Sequence, residues 1–335
     1  MVSVFSLLKL DKQEVLITGD NQLKKRKIKN LLESLTRLGL EYEFNTDLEI
    51  PFKIKKSIGA GETRVSGKSS QFLSSLLLTL PFLEKTSTIY IDEINEKPYI
   101  DMTLEHLNKI GVSIDNFNYK KIVVHPFKFM TEYEFSVPSD FSSATYIILA
   151  TILSKGDVDI YNLDTNDTQG DKAILEIVKS LGCNYSFNKG ILNLSGTIIR
   201  GGSFDMNSTP DMLPALVFFL LQFPYYFEFI NIEPIRYKET DRVQVLYDNL
   251  VDIGIEVKMT KNKLSFYGKD NLSDLKINGA NDHRIIMGAT LLGMKIDSSV
   301  EIFNIKNINS SYPDYISDIE KIGVNTSCSS WNIIF

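Results

Sequence analysis

The densest group of residues that could do chemistry is the run Arg236-Tyr-Lys-Glu-Thr-Asp-Arg242. Lys238 and Arg242 are four residues apart at a predicted helix start, so their cations can project from one side of the helix. Glu239 lies between them and could donate a proton. Two cations beside a carboxyl group suit the binding and protonation of a small anion. A solvated, charged helix start is the alternative interpretation.

A second group is Asn281-Asp-His-Arg284, which precedes an almost wholly apolar segment. The pattern predicts a helix in which His283 and Arg284 occupy the first turn. A cation at a helix N-terminus opposes the helix dipole, so Arg284 needs an anionic partner, either another residue or a ligand. This requirement favours a functional interpretation of the group.

Serine, aspartate and asparagine stand at the predicted starts of the most apolar helices. These residue types cap the free N–H groups of a first helical turn. Several helix N-termini that converge would also form a binding site for phosphate. Capping alone is the alternative interpretation for each of these starts, which are Ser69-Ser70, Ser142-Ser143, Asp211 and Asn281-Asp282.

The elements that must position these residues repeat along the chain. A Leu-Gly or Ile-Gly pair ends an amphipathic helix at five places, and the successive spacings are 72, 71, 72 and 69 residues. Each glycine fits a helix C-cap, where a left-handed conformation costs glycine least. Five such glycines in phase predict a repeated structural unit; they are Gly39, Gly111, Gly182, Gly254 and Gly323.

Each unit is predicted to contain two helices of different character. The first is apolar nearly all round, and we expect these helices at Ser69–Leu83, Ser142–Leu153, Asp211–Gln222 and Asp282–Met294. The second has a polar face, and we expect these at Tyr99–Ile110, Lys172–Leu181, Thr240–Ile253 and Asp314–Ile322. A helix that is apolar on all sides is buried on all sides. Parallel buried helices surrounded by sheets and amphipathic helices are therefore predicted in two domains, residues 1–137 and 138–335.

Composition excludes several classes of protein. The net charge of −6 over 335 residues argues against general binding to nucleic acid or anionic membranes. Two cysteines cannot form a disulfide framework and favour a reducing compartment. We find no signal peptide, membrane span, Walker loop or metal-binding spacing among the three histidines. The sequence therefore predicts a cytoplasmic protein that needs no metal.

Five motifs, in order and similarly spaced, resemble the signatures of the 5-enolpyruvylshikimate-3-phosphate (EPSP) synthase family. They are Val65-Ser-Gly-Lys-Ser-Ser-Gln-Phe72, Lys97-Pro-Tyr-Ile-Asp-Met-Thr103, Lys238-Glu-Thr-Asp-Arg242, Asn281-Asp-His-Arg284 and Tyr312-Pro-Asp-Tyr315. Each is a weak pattern alone, and the ordered set covers essentially the whole chain. The resemblance implies an α/β fold, a two-domain inverse α/β barrel of repeated βαβαββ units, with the active site in the cleft between the domains.

The resemblance also implies a reaction of the shikimate pathway, in aromatic amino acid biosynthesis. Phosphoenolpyruvate and shikimate 3-phosphate would give EPSP and inorganic phosphate by addition and elimination through a tetrahedral intermediate. No cofactor or metal is implied, because positioning, charge neutralisation and proton transfer suffice. The expected partners are these two small substrates, with no nucleic acid or membrane, and we expect a monomer.

Roles for individual residues follow from the same resemblance. The residues implied to bind shikimate 3-phosphate are Ser69, Ser70, Gln71, Tyr99, Asp211 and Lys238. Those implied to bind phosphoenolpyruvate are Arg26, Gln71, Arg242, Arg284 and His283. The implied catalytic residues are Asp211 as proton shuttle at the attacking oxygen, Lys238 as a bridge between the substrates, and Glu239 as the acid for the methylene.

The chain also departs from the family pattern. A Lys-Ser motif with a following arginine, and an Asn-x-Gly-Thr turn, are absent. Six repeats would need about 426 residues, so the chain is expected to lack about 91 residues, the first unit and the start of the second. Glu96 stands where a serine usually touches the substrate's phosphate, and its carboxylate would repel that phosphate unless it is turned away. Ser310 stands in the place of a lysine found in some members.

Two alternatives remain open. One is a truncated, inactive relative that at most binds small anions through Lys238, Arg242 and Arg284. The other is the related transferase that acts on UDP-N-acetylglucosamine, which normally uses a loop cysteine as its acid. Neither cysteine here fits that role, because Cys183 follows a helix C-cap glycine and Cys328 lies near the final strand.

Overall fold

The computed structural model describes residues 14–19, 23–25, 27–44, 49–128, 132, 134–155, 158–188, 191–296, 298–322, 324, 326–328 and 332–334. Two of the predicted residues, Arg26 and Gly323, lie outside these ranges. The chain divides into two compact units, Met1–Phe135 and Ser136–Phe335. In the described ranges no helix has the length and apolar character needed to cross a membrane.

The described part of unit 1 contains two sheets and three α-helices. Its strands are β1 (Val15–Ile17), β2 (Glu41–Phe44), β3 (Phe52–Lys56), β4 (Glu62–Gly67), β5 (Ser87–Ile94), β6 (Ile114–Phe117) and β7 (Lys121–Val124). Its helices are α1 (Lys29–Thr36), α2 (Ser70–Thr79) and α3 (Lys97–Lys109). The sheet orders are β1-β3-β2 and β4-β5-β7-β6, in which only β4 and β5 are parallel.

Among its described residues, unit 2 contains six α-helices and three sheets. The helices are α4 (Phe141–Ser154), α5 (Ile174–Ser180), α6 (Leu213–Leu220), α7 (Arg242–Asp252), α8 (His283–Thr290) and α9 (Tyr315–Lys321). The strands are β8 (Cys183–Asn188), β9 (Ile191–Gly196), β10 (Gly202–Asp205), β11 (Tyr226–Ile230), β12 (Val257–Thr260), β13 (Lys263–Tyr267), β14 (Leu275–Asn278), β15 (Val300–Phe303), β16 (Ser327–Cys328) and β17 (Asn332–Ile334). The sheet orders are β8-β9, β10-β11-β13-β12 and β14-β15-β17-β16.

The three four-stranded sheets share one plan, which confirms the predicted repeat. In each, a parallel pair of strands is joined through an apolar helix, and a second helix then leads into an antiparallel hairpin. The chain order is therefore β-α-β-α-β-β, as predicted. The helix-ending glycines that are described adopt the expected left-handed conformation, with φ of 99°, 91°, 119° and 76° at Gly39, Gly111, Gly182 and Gly254.

The apolar helices of unit 2 form its core. Every residue of α6 and α8 is buried, and so is nearly every residue of α4. Gly288 allows α8 to approach α6 closely, because a Cβ there would lie 2.8 Å from the carbonyl oxygen of Pro214. The prediction that these helices are buried on all sides is confirmed.

The same prediction is wrong for α2 in unit 1. Gln71 is exposed, and Leu78 is 48% exposed. Phe82, in the turn that follows the helix, is 54% exposed. The helix packs against α3 and β4, so the described part of unit 1 covers it from that side. An apolar composition alone therefore did not reveal that one face of α2 is accessible.

Candidate active site

One buried guanidinium organises the polar group of unit 2. Arg242 begins α7, and only 1% of its side chain is exposed. Its Nε donates to Asp282 Oδ2 at 2.8 Å, its Nη1 to Asp211 Oδ1 at 2.8 Å, and its Nη2 to Glu239 Oε2 at 2.6 Å. A buried charge is tolerated when it is paired and hydrogen-bonded in this way. Arg242 therefore holds three carboxylates in fixed positions.

Three helix starts supply the carboxylates. Asp211 lies in the 3₁₀ turn Pro210–Met212 that leads into α6, and Glu239 precedes α7. Asp282 caps α8 by accepting from the backbone N–H of Arg284 at 3.0 Å. Asp282 also accepts from Thr240 Oγ1 at 3.1 Å, which ties the start of α8 to the segment before α7.

The segment that carries Lys238 and Glu239 is held by Arg236. The guanidinium of Arg236 donates to the carbonyl oxygens of Lys261 and Thr260, each at 3.0 Å, and to the Asp241 carboxylate at 2.9 Å. Asp241 in turn caps α7 through the Gln244 N–H. Arg236 is thus a structural anchor of the motif.

Cations surround Asp211. Arg284 Nη2 lies 3.5 Å from its Oδ2, and Lys238 Nζ lies 4.0 Å from its Oδ1. Burial on its own raises the pKa of Asp211, but the charges of Arg284, Lys238 and Arg242 together hold that pKa well below its usual range. Asp211 is therefore ionised, and any anion that neutralises these cations raises its pKa.

Arg284 offers donors that the described residues leave unused. Its side chain is 10% exposed. Within the described part of the chain, its Nε and Nη1 atoms are buried and have no hydrogen-bond partner. Buried, unpaired donors are costly, and those of a guanidinium suit the oxygen atoms of an anion. The anionic partner that the sequence required is thus partly internal, at Asp211, and two N–H directions remain for a ligand.

His283 lies beside this cluster. Its side chain is 11% exposed, and its Nδ1 is 4.0 Å from Asp282 Oδ1. Burial lowers the pKa of His283 below its usual value, against the opposing effect of Asp282. A neutral imidazole can donate at one ring nitrogen and accept at the other, which suits an orienting role.

Sequence reasoning missed a buried carboxyl group next to the cluster. Asp171, in the 3₁₀ turn Gly170–Ala173, is 2% exposed and accepts from Ser142 Oγ. Its Oδ1 atom is buried, and none of the described residues bonds to it. Burial and the charge of Asp211 raise the pKa of Asp171 to about 7. The available signal was the polar run Gln169-Gly-Asp171 directly before the helix predicted at Lys172–Leu181.

We expect Asp171 to make the protein less stable as pH rises. The unfolded chain ionises this carboxyl near pH 4, whereas the folded chain keeps its proton until about pH 7. The stabilising contribution of the protonated carboxyl group is therefore lost as pH rises through this window. The free energy of unfolding should fall by about 2 kcal/mol between pH 5 and pH 8. Urea unfolding of the unmodified chain, Asp171→Asn and the exposed control Asp159→Asn should show this loss in all but Asp171→Asn. An identical pH dependence in all three would contradict the assignment.

In unit 1 the predicted serines begin α2. Ser69 is the N-cap residue, although its side chain makes no capping hydrogen bond, and Ser70 is buried. Gln71 is exposed, and Tyr99 lies half-buried in the first turn of α3. The Glu96 carboxylate is not turned away: its Oε2 accepts from Ser70 Oγ at 2.8 Å and from the Ser70 N–H at 3.4 Å.

In unit 1 the structure thus brings the start of α2 together with Glu96. In unit 2 it brings together all of the predicted residues, which are Asp211, Lys238, Glu239, Arg242, His283 and Arg284. Arg242 differs from the expectation that it grips a substrate carboxylate, because it donates to three carboxylates of its own unit. Arg26 lies outside the described residues.

The described cysteine does not suit the chemistry of the related UDP-N-acetylglucosamine enzyme. Cys183 is buried in β8, and burial raises the pKa of its thiol to about 11. A thiol that is enclosed in this way is unsuited to act as the loop acid of the related UDP-N-acetylglucosamine enzyme. No group of three or more His, Cys, Asp or Glu side chains in the described ranges could hold a metal ion.

Comparison with known proteins identifies relatives of the chain. Residues 1–319 match the family model of EPSP synthase (3-phosphoshikimate 1-carboxyvinyltransferase). The 3-phosphoshikimate 1-carboxyvinyltransferase of Clostridium novyi (strain NT) is 34% identical over 313 residues, 93% of this chain and 72% of that protein. The protein of the same name from Nitrosopumilus maritimus (strain SCM1) is 32% identical over 315 residues, 93% of this chain and 74% of that protein.

Solved structures support the fold. A structure of EPSP synthase from Acinetobacter baumannii superposes with a TM-score of 0.76 at 21% identity, covering 97% of this chain and 77% of that one. The two-domain α/β fold of repeated βαβαββ units is therefore the fold implied by the motifs. With the match of the family model and the identity to curated relatives, the chain belongs to the EPSP synthase family.

Proposed function

We propose that the chain transfers the enolpyruvyl group of phosphoenolpyruvate to the 5-hydroxyl of shikimate 3-phosphate, giving EPSP and phosphate. The observation that carries the proposal is the pair of buried, unpartnered Arg284 N–H groups beside the ionised Asp211. An anion-binding guanidinium and a carboxylate that can take a proton are what this reaction needs. The names of the curated relatives agree with this reaction.

Binding of the anionic substrate prepares Asp211 to act as a base. The carboxylate of phosphoenolpyruvate would pair with Arg284, which lies 3.5 Å from Asp211. Lys238, whose Nζ lies 4.0 Å from Asp211 Oδ1, is proposed to bridge the two substrates. Each pairing neutralises a cation that lies near Asp211. The pKa of Asp211 therefore rises towards the range of a useful base. The free site therefore keeps Asp211 ionised, and the loaded site makes it basic.

Two groups, Asp211 and Glu239, carry the protons of the reaction. In the addition step the 5-oxygen bonds to C2 of phosphoenolpyruvate as Asp211 takes the hydroxyl proton and Glu239 protonates the methylene carbon. In the elimination step the bond from C2 to the phosphate oxygen breaks, the new methyl group returns its proton to Glu239, and Asp211 passes the hydroxyl proton to the leaving phosphate. Arg242 holds Glu239 and Asp211 at 2.6 and 2.8 Å, so both proton-transfer groups are fixed before substrate arrives.

The remaining assignments come from the family resemblance. Ser69, Ser70, Gln71 and Tyr99 are proposed to bind shikimate 3-phosphate, and His283 to orient groups near Arg284. The domains are proposed as residues 1–137 and 138–335. A single chain provides all of these groups, which supports a monomer, and the two cysteines fit the reducing cytoplasm.

Phosphorus NMR tests the proposal directly. With phosphoenolpyruvate and shikimate 3-phosphate, the two substrate signals should decline while signals of EPSP and inorganic phosphate grow in equal amounts. Replacing shikimate 3-phosphate with UDP-N-acetylglucosamine should leave phosphoenolpyruvate unchanged. No product from either acceptor would contradict the proposal and leave an inactive anion-binding relative, whereas product from UDP-N-acetylglucosamine alone would identify the related enzyme.

A further inference from the structure

An internal carboxylate lies at the start of α2. Glu96 is only 4% exposed, and its Oε2 accepts from the hydroxyl of Ser70 at 2.8 Å and from the Ser70 N–H at 3.4 Å. The two residues are 26 positions apart and belong to different elements. The carboxylate is therefore delivered to this helix start by tertiary structure and not by the local sequence.

The backbone holds Glu96 in an unusual conformation. Its φ of 52° and ψ of 40° place it in the left-handed region, which residues other than glycine, asparagine and aspartate seldom adopt. Hydrogen bonds on both sides maintain this turn, from the Asn95 N–H to the Gly67 carbonyl at 2.9 Å and from the Tyr99 N–H to the Glu96 carbonyl at 3.1 Å. Such conformations persist where the surroundings enforce them, so the carboxylate has a defined position.

The carboxylate uses the groups that would otherwise bind an external anion. The first N–H groups of a helix and its dipole attract negative charge, and Ser69 provides no side-chain cap of its own. A phosphate approaching Ser70 must displace the Glu96 carboxylate or remain beside it. Either course weakens binding, because like charges a few ångströms apart repel and the displaced carboxylate is nearly buried.

We propose that Glu96 is a specificity-determining residue that occupies the phosphate position at Ser69 and Ser70. This inference rests on the proposed function, which assigns those serines to the acceptor substrate. The chain then gains little from the phosphate of shikimate 3-phosphate and binds unphosphorylated shikimate about as well. A chain without this carboxylate distinguishes the two acceptors strongly.

Calorimetric titration with shikimate 3-phosphate and with shikimate measures how much the phosphate contributes to binding. The measure is the ratio of the two dissociation constants. In the unmodified chain the affinities should differ by less than about 3-fold. Glu96→Gln keeps the size of the side chain and removes its charge, so it should raise the preference for shikimate 3-phosphate by at least about 10-fold. Glu96→Ser also vacates the position and should raise it further. Glu93→Gln, which removes an exposed carboxylate near Ser66 and Lys68, should leave the ratio unchanged.

The outcomes separate this inference from the proposed function. A strong preference for shikimate 3-phosphate in the unmodified chain would overturn the role of Glu96. So would an unchanged ratio in Glu96→Gln and Glu96→Ser, including the case in which no variant binds shikimate 3-phosphate. Turnover is measured separately with phosphoenolpyruvate present. A gain in phosphate preference without turnover would support the role of Glu96 and contradict the proposed reaction.

Discussion

Replacing Arg284 with lysine is expected to lower kcat/KM for phosphoenolpyruvate by about 10²- to 10⁴-fold. The substitution keeps a positive charge near Asp211 but removes the fixed directions of the Nε and Nη1 donors, which are buried and unpartnered among the described residues. Two charge-assisted hydrogen bonds contribute about 3–6 kcal/mol in total, which corresponds to this range. Lysine presents one ammonium group and cannot reproduce the planar arrangement of donors.

The measurement is initial-rate kinetics with each substrate varied in turn. We expect the KM for phosphoenolpyruvate to account for most of the change, because Arg284 binds the carboxylate in the ground state as well as in the transition state. Arg200→Lys, at an exposed position of the same unit, is the matched control and should leave the kinetics unchanged. Unchanged kinetics in Arg284→Lys would exclude the proposed role of those donors.

Replacing Asp282 with asparagine is expected to lower the free energy of unfolding by about 3–5 kcal/mol. Asp282 is fully buried and accepts from Arg242 Nε at 2.8 Å. Burial alone raises the pKa of Asp282, but Arg242 lowers it, so the pair is ionised in the folded chain. Removing one partner of a buried ion pair leaves the other charge uncompensated, and that loss is of the stated size.

A second helix cap provides the control for this change. Asp140 caps α4 through the N–H groups of Ser142 and Ser143, each at 3.0 Å, and is exposed. Asparagine caps helices about as well as aspartate, so Asp140→Asn should cost less than about 1 kcal/mol. Urea unfolding followed by circular dichroism compares the two variants. Equal, small losses would show that Asp282 acts only as a cap.

Local patterns in the sequence predicted the elements of the fold well. The glycine spacing and the change from apolar to amphipathic helices predicted the order of elements in each repeat. Short-range capping chemistry also predicted that a buried helix starts at Asn281-Asp282, and Asp282 caps α8. These features depend on residues within one or two helical turns of each other, and the sequence contains that information directly.

Contacts between distant residues could not be predicted in this way. The sequence required an anionic partner for Arg284 but did not identify Asp211, which is 73 positions earlier. The raised pKa of Asp171 depends on burial by other elements, and the accessible face of α2 depends on which elements cover it. Glu96 was recognised as a departure, but its hydrogen bonds to Ser70 were visible only in the folded chain.

The proposed site of enolpyruvyl transfer consists of Asp211 and the cations around it. The most direct test of this proposal is the initial rate of phosphate release from phosphoenolpyruvate, measured with and without shikimate 3-phosphate, for the unmodified chain and for Asp211→Ala. We predict release that requires both substrates and is lost in Asp211→Ala, while the exposed control Asp248→Ala retains it. Release that is absent from the unmodified chain, or equally fast in Asp211→Ala, would contradict the account.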